Sequence, residues 1–429
     1  MSKNNMEQYR VIPEGYFTVR WGEPEYTSWM DESMSWKENC YIGDWTFLWE
    51  RWFRGPDVEK LFSDFSTLSF KNFDIGKAKH CIHCNKDGKV IHEGILARTG
   101  EQEYLLFGRG CFWMNYNLEK GDYNVTTEAD DMFNLQVSGP NAIALIEKSC
   151  GKSVRDIDYM HFTKIEIRGR WMYALRQGMA GEPGFELIGP VEWKDEIIKA
   201  LQKDGEEFGV RRLGGRTVFI NHLEACFPTI ITDYIPAMFS EDLKDYLETF
   251  KKSMPASTTT LNLYGSFEGE KIEDYYRSPY ELGWGYAVKF DHDFLGREAL
   301  EKEKKNQKRT IRTLVWNSED VIDVYASLFQ KGDHYDFIEF PRYQRGGMYT
   351  NKVVNSDNKF IGTTTSYGYS YYFRKVLSLA VIDIDDAELG SEVKVIWGEP
   401  GHPQKEIRAI VAKTPYKTDG SKVDLHTVR

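Results

Sequence analysis

The segment His80-Cys81-Ile82-His83-Cys84 carries four side chains that could ligate a metal or form a redox pair. A structural zinc site needs four ligands in tetrahedral array, drawn as a rule from two separated pairs. No second CxxC occurs in the chain, and the segment reads as a strand entering a turn, on which residues three apart face opposite sides. No metal is expected. His92-Glu93 lies on the strand after the Asp87-Gly88 turn signal. A carboxylate there is either a solvated charge or a group that holds a proton or a cation in a cleft.

Two further patterns involve glycine. Gly108-Arg109-Gly110 follows the apolar run Tyr104 to Phe107. An arginine between glycines at a strand end can grip a carboxylate with two donors, or stand in solvent as an ordinary turn residue. Gly178 to Pro190 reads GMAGEPGFELIGP, in which the glycines allow tight turns and close approach to a ligand. The spacing is not that of a dinucleotide loop. Within it Glu186 stands between Phe185 and Leu187, either outward on a strand or buried with a donor partner. A buried carboxylate of this kind can accept two parallel N–H bonds from a planar heterocycle. The chain has no serine nucleophile elbow, no phosphate-binding P-loop and no HExxH.

The elements that must position these residues alternate between helix and strand. Asn141 to Gly151, Trp193 to Phe208, Asp242 to Phe250 and Gly296 to Lys305 have helical spacing. Lys164 to Arg168 and Arg170 to Leu175 flank Gly169 as a hairpin, and Val90 to Arg98 pairs with Lys79 to Cys84. From about residue 306 the signals become strands and turns: Ile311 to Trp316, Ser378 to Ile384, Glu392 to Trp397 and Glu406 to Ala412. The lysine-rich stretch Glu301 to Arg309 reads as a linker. The expected architecture is a large α/β body over 1–305 followed by an all-β cap over 306–429.

With 55 Lys and Arg against 66 Asp and Glu, the formal charge is −11, and nucleic acid is not an expected partner. An anionic ligand must then be drawn in by local arginines. No stretch has the length of a membrane-spanning helix, so no membrane partner is expected. The six scattered cysteines are not a disulfide framework, and with the polar segment Met1 to Arg10 they fit a cytoplasmic location.

Several stretches together resemble the T-protein (aminomethyltransferase) family. Leu135 to Pro140 resembles its QxxGP strand-turn, and Arg176-Gln177-Gly178 through Gly184-Phe185-Glu186 resembles its R-x-G…GxxGFE signature. Val288 to Glu298 resembles its KFD…FIGREAL stretch. Ile272 to Tyr276, Tyr325 to Phe329, Gly368 to Tyr371 and Ile396 to Glu399 are most similar to the tetrahydrofolate-dependent vanillate and syringate O-demethylases of that family. A dimethylsulfoniopropionate demethylase on the same scaffold is a more distant match.

The resemblance implies a folate-binding α/β body of two interleaved domains with a C-terminal β-barrel or jelly-roll domain. It implies tetrahydrofolate as cofactor and a small aromatic substrate as partner. Gln136 and Glu186 would hold the pterin's amino-pyrimidine edge, with Phe227 beside the pterin and Arg176 in the same cofactor-binding set. Glu93 falls near the acidic position that T-proteins aim at the folate nitrogens, and Arg109 falls where the O-demethylases bind the carboxylate of an aromatic acid. Val19 and Val218 stand where those enzymes present two tyrosines, and Trp45 and Leu48 where they place Gln and His. With Phe47 these make a more apolar substrate pocket. Tyr16, Tyr26 or Tyr234 would supply a hydroxyl from another backbone position, Tyr234 being taken with Glu93 as the catalytic pair. The expected activity is methyl transfer from a methoxylated aromatic, giving 5-methyl-tetrahydrofolate and a phenol. Methylene transfer from a methylenedioxy ring, removal of a sulfonium or N-methyl group, and a non-catalytic folate-binding module are the alternatives.

Overall fold

Arg168 and Gly169 adopt left-handed φ values of 55° and 76°, the backbone of a two-residue hairpin turn whose twist matches the strands on either side. The computed structural model describes residues 23–254, 262–341 and 347–428. Similar local rules set other boundaries. Ser28 caps the first helix, its hydroxyl accepting the Asp31 N–H at 3.2 Å. Gly151 ends the helix that begins at Ala142 in the left-handed conformation. Asn85 Oδ1 accepts the N–H groups of Asp87 at 3.1 Å and Lys89 at 2.9 Å, closing the turn at Asp87-Gly88.

In chain order the body consists of α1 (Trp29–Glu38), β1 (Cys40–Asp44), β2 (Glu50–Arg54), α2 (Val58–Phe65), β3 (Ala78–Cys84), β4 (Val90–Gly100), β5 (Glu103–Phe107), α3 (Gly110–Lys120), β6 (Thr126–Asp130) and β7 (Met132–Ser138). It continues with α4 (Ala142–Cys150), β8 (Phe162–Ile167), β9 (Arg170–Leu175), β10 (Gly184–Pro190), α5 (Lys194–Asp204), β11 (Val210–Arg212), α6 (Gly215–Ala225), α7 (Lys244–Ser253), β12 (Leu263–Tyr264) and α8 (Arg297–Lys305). The last part comprises β13 (Arg309–Trp316), α9 (Ser318–Ser327), β14 (Met348–Tyr349), β15 (Asn351–Val354), β16 (Phe360–Ser370), β17 (Lys375–Asp383), β18 (Glu392–Trp397) and β19 (Lys405–Ala412).

Among the described residues the body holds two large sheets, and a short parallel pair, β12-β14, links it to the last part. The first runs β11-β1-β7-β10-β9-β8 and the second β3-β4-β5-β2-β6. Strands β2 to β6 are inserted between β1 and β7, so the two halves interleave along the chain. The third unit is a closed barrel, β13-β17-β16-β15-β18-β19, with every pairing antiparallel.

Two sequence expectations need correction. The stretch Glu301 to Arg309 is not a linker: Glu301 to Lys305 complete α8 and Arg309 opens β13, leaving only 306–308 between them. The C-terminal part is not all β, because α9 follows the first barrel strand. Its start is fixed by Asn317, whose side-chain oxygen accepts the N–H groups of Glu319 at 3.0 Å and Asp320 at 3.1 Å. No helix among the described residues is long and apolar enough to cross a membrane.

Candidate functional site

Strand alternation decides which side chains of β7 and β10 meet the helices. Leu135, Val137, Phe185 and Leu187 enter one apolar core with Ile143, Ile146, Ile197 and Leu201 of α4 and α5. Asn134, Gln136 and Glu186 therefore point to the opposite face. Glu186 and Gln136 are direct cross-strand partners. In the second sheet the cross-strand row Glu50, Phe107, Ile95, His80 lies on one face, and Glu93 shares it two residues before Ile95. Trp52, Ala97, Leu105 and Phe107 of that face join Met132, Leu175 and Ile188 of the first sheet in one cluster. The two polar faces thus look at each other across a common interior.

On the first sheet Glu186 is only 3% exposed. Its carboxylate accepts from Asn134 Nδ2 at 3.3 Å and from Gln177 Nε2. Burial nevertheless lifts its pKa to about 7, against the lowering effect of those two donors. Tyr41 donates its hydroxyl to Gln136 Oε1, while Gln136 Nε2 and Asn134 Oδ1 are buried without a partner. A Cβ on Gly178 would stand 3.0 Å from Gln136 Nε2, so a larger residue there would crowd that amide. A carboxylate with remaining lone pairs beside a spare amide N–H and a spare amide oxygen matches a heterocycle edge that offers N–H donors next to a carbonyl. The residues fit the amino-pyrimidine rim of a pterin. Glu50, 5% exposed at the start of β2, is a second buried carboxyl on the facing sheet, and its Oε1 has no partner. Burial, then Asp130, Asp131 and Glu186, push it to about 9, so it is neutral at pH 7.

A second group surrounds Arg109, which opens α3 and is 8% exposed rather than a solvent-facing turn arginine. Its guanidinium lies 5.6 Å from the centre of the Trp49 ring. Burial pulls it down to about 10, opposed by the potentials of Tyr234, Tyr246 and Glu93, and it stays cationic. Tyr234 is fully buried and its hydroxyl has no hydrogen-bond partner. Burial and the Glu93 charge raise that phenol well above its ordinary value, while Arg109 pulls the other way. Arg109, Tyr234 and Glu93 thus share one electrostatic cluster. Beside it Trp49, Phe112, Tyr116, Tyr246 and Phe250 line a cavity of about 270 Å³.

The third group is apolar. Trp45 and Val218 share a buried cluster against which Phe47 and Leu48 are packed. The Trp45 ring lies 6.2 Å from Phe47 and 6.0 Å from His222, and His222 lies 5.1 Å from Phe227. Burial pulls His222 down to about 3, so it is a neutral wall residue. The Trp45–Trp49 turn joins this group to the second, one end in the apolar cluster and the other beneath Arg109.

Other residues fall outside these groups. Arg176 spends its terminal nitrogens on the carbonyls of Ile157, Ser421 and Val423, tying the C-terminal segment to the body. Tyr26 is exposed and accepts from Arg212 at 2.9 Å. Val19 and Tyr16 lie outside the described residues. Cys81 and Cys84 are buried with thiols pushed up by burial, and His83 Nδ1 is 2.8 Å from the Phe65 carbonyl oxygen. Among the described residues no three His, Cys, Asp or Glu side chains group as metal ligands.

Sequence reasoning missed Glu50, Asn134, Gln177, Tyr41 and His222. Asn134 was accessible from the alternation of β7, because it stands two residues before Gln136. Glu50 lies in Glu-Arg-Trp-Phe-Arg, where alternation alone does not say whether Glu50 or Arg51 turns inward.

The GCVT N-terminal domain family matches residues 7–240. A syringate O-demethylase from a Sphingobium species is 32% identical over 417 residues, covering 91% of this chain and 89% of that protein. A sesamin methylene transferase from a Sinomonas species is 31% identical, covering 96% and 94%. An aminomethyltransferase from Pseudothermotoga lettingae is 26% identical, covering 92% of each. Among solved structures, the glycine cleavage system aminomethyltransferase T from Bartonella henselae superposes with a TM-score of 0.67 at 16% identity, over 92% of this chain and 90% of that one, a likeness of fold.

Proposed function

The chain belongs to the GCVT N-terminal domain family, and from that premise we propose that it transfers the methyl group of a methoxylated aromatic compound to tetrahydrofolate. The products are a phenol and 5-methyl-tetrahydrofolate. The observation that carries this reading is the buried pair Glu186 and Gln136, side by side across β7 and β10 with hydrogen-bonding capacity left for a ligand edge. When bound, the reduced pterin supplies the nitrogen nucleophile that accepts the one-carbon group.

The chain's own residues do the rest. Glu186 accepts from the amino-pyrimidine N–H groups and Gln136 donates to the carbonyl beside them, which fixes the ring's orientation. Asn134, Gln177 and Tyr41 hold those two side chains in place. Arg109 takes the carboxylate of an aromatic acid, and Trp45, Phe47, Leu48, Val218 and Phe227 exclude water from the ring and the ether. Glu93 faces the same interior and takes a proton from the nucleophilic nitrogen, and Tyr234 offers its unpartnered hydroxyl to the departing oxygen. Arg176 steadies this pocket by holding residues 421 and 423. Alignment of two reactants contributes about 7–11 kcal/mol at best, and a placed proton donor typically 10²–10⁴-fold. In this reading the binding body is the division 1–305 and the barrel domain the division 306–429.

The test is folate-dependent turnover over a panel of methoxylated and methylenedioxy aromatics, with the folate product identified by mass. The expected product is 5-methyl-tetrahydrofolate from a methoxylated acid. Accumulation of 5,10-methylene-tetrahydrofolate, or binding without turnover on every compound, would contradict the proposal.

A further inference from the structure

His80 is not needed by the reading above, yet it touches the one group expected to take up a proton. Its Nε2 lies 3.1 Å from Glu93 Oε2 and its Nδ1 3.1 Å from the Tyr286 hydroxyl. The ring is largely shielded, with Trp284 edge-on at 5.0 Å and Tyr286 tilted over it at 6.1 Å. Tyr286 is 66% exposed. Glu93 and His80 both project into the space between the sheets, on diagonal positions of β3 and β4. No other hydrogen bond of the Glu93 carboxylate is found among the described residues. The charged and titratable neighbours of this carboxylate are His80, Cys81, His83, Arg109, Tyr234 and Tyr286.

We propose that His80 and Tyr286 relay protons between Glu93 and bulk water during the one-carbon transfer. The inference rests on the proposed methyl transfer. In that reaction the carbon–oxygen bond of the ether breaks as a bond to the pterin nitrogen forms, and that nitrogen must shed its hydrogen as a proton. Glu93 takes this proton and passes it to His80 Nε2. His80 accepts it only from the protonated carboxyl, as the tautomer protonated at Nδ1, and gives up the Nδ1 proton toward the Tyr286 oxygen and water; the ring then returns through proton exchange with water at Nδ1 for the next turnover. The aryl oxide takes its proton from the Tyr234 hydroxyl, which regains one from water, so the sum is ether plus tetrahydrofolate to phenol plus methylated folate, with no net proton. With folate and substrate covering the interior side of the Glu93 carboxylate, His80 and Tyr286 give its proton a way to water. A His–Glu pair with no such role would contribute little to stability and nothing to turnover.

The experiment uses the full chain and two arms. His80→Gln keeps a donor for Glu93 but cannot carry a proton; kcat is expected to fall tenfold or more, KM to stay within about twofold, and added imidazole to restore part of the rate. Tyr286→Phe should give a smaller loss of kcat. An unchanged kcat in His80→Gln, or a loss that imidazole does not rescue, overturns the relay. The second arm reads the ring without cofactor: nitrogen NMR of His80 in the ligand-free protein, with and without Glu93→Gln. The His80 Nε2 resonance is expected to move in the variant because its 3.1 Å carboxylate partner is gone, and an unmoved resonance overturns the relay even if no substrate is turned over. If wild-type protein turns over no member of the panel, it is the methyl-transfer reading that fails.

Discussion

Inside the barrel, buried polar groups answer one another. Trp316 Nε1 donates to Ser378 Oγ at 2.9 Å, and Thr364 Oγ1 lies 2.7 Å from that same oxygen and 2.7 Å from the Leu379 carbonyl oxygen. Thr350 and Asn351 at the barrel's edge each leave one polar atom without a partner, and both are neutral residues. Between the two sheets of the body the buried groups are Glu50, Glu186, Asn134 and Gln136, of which only Glu186 has neither side-chain oxygen or nitrogen left without a partner. An unmade buried hydrogen bond costs about 1–3 kcal/mol, more for a charged group. One region is built to be stable by itself. The other keeps its polar groups ready for a molecule that is not protein.

That contrast can be broken in three places. The largest effect belongs to Trp316→Ala, which should cost about 3–5 kcal/mol of stability in urea unfolding through the cavity it leaves. Folate affinity per folded molecule should not change, and a parallel loss of affinity would mean that barrel and site are not separate. Next is Glu50→Gln. The wild-type carboxyl titrates near 9 when folded and near its ordinary value when unfolded, so the folded state binds more protons between those limits. Wild-type stability therefore falls as pH rises through that window, while the amide is indifferent. The variant should gain on wild type by about 2 kcal/mol or more between pH 5 and pH 9 in thermal unfolding, since each pKa unit corresponds to about 1.4 kcal/mol. A pH-independent difference would show that Glu50 is not a neutral buried acid. The smallest effect sharpens the assignment of Arg109: in Arg109→Ala the KM for acidic aromatics should rise roughly tenfold to a hundredfold, the worth of hydrogen bonds to a charged group. Neutral analogues should be nearly unaffected, and equal changes for both would remove the carboxylate anchor.

The sequence disclosed local structure well where the signal is local. The turn residues Arg168-Gly169 and Asp87-Gly88 marked their hairpins, and the apolar spacing of Ile143 and Ile146 with the terminal Gly151 marked α4. Helix α9 is also marked locally, by the capping sequence Asn317-Ser318-Glu319-Asp320, although the expected all-β cap leaves it out. The site was legible in part, and mainly through resemblance: nothing in the spacing of Gln136 and Glu186 says that they become neighbours, which depends on the register of β7 against β10. Glu50 and His222 were illegible for the same physical reason. Their burial is decided by a facing sheet and by an aromatic wall assembled from segments distant in the chain.

The central claim is that Glu186, as a carboxylate, holds the pterin rim, and calorimetric titration of tetrahydrofolate into wild-type and Glu186→Gln protein across pH tests it most directly. Because the free carboxyl titrates near 7 and the ligand's N–H donors favour its ionised form, wild-type affinity should weaken as pH falls below 7. The variant should bind about tenfold or more weaker at pH 8, with that pH dependence gone. Equal affinities for the two proteins, or an unaltered pH profile in the variant, would contradict the account.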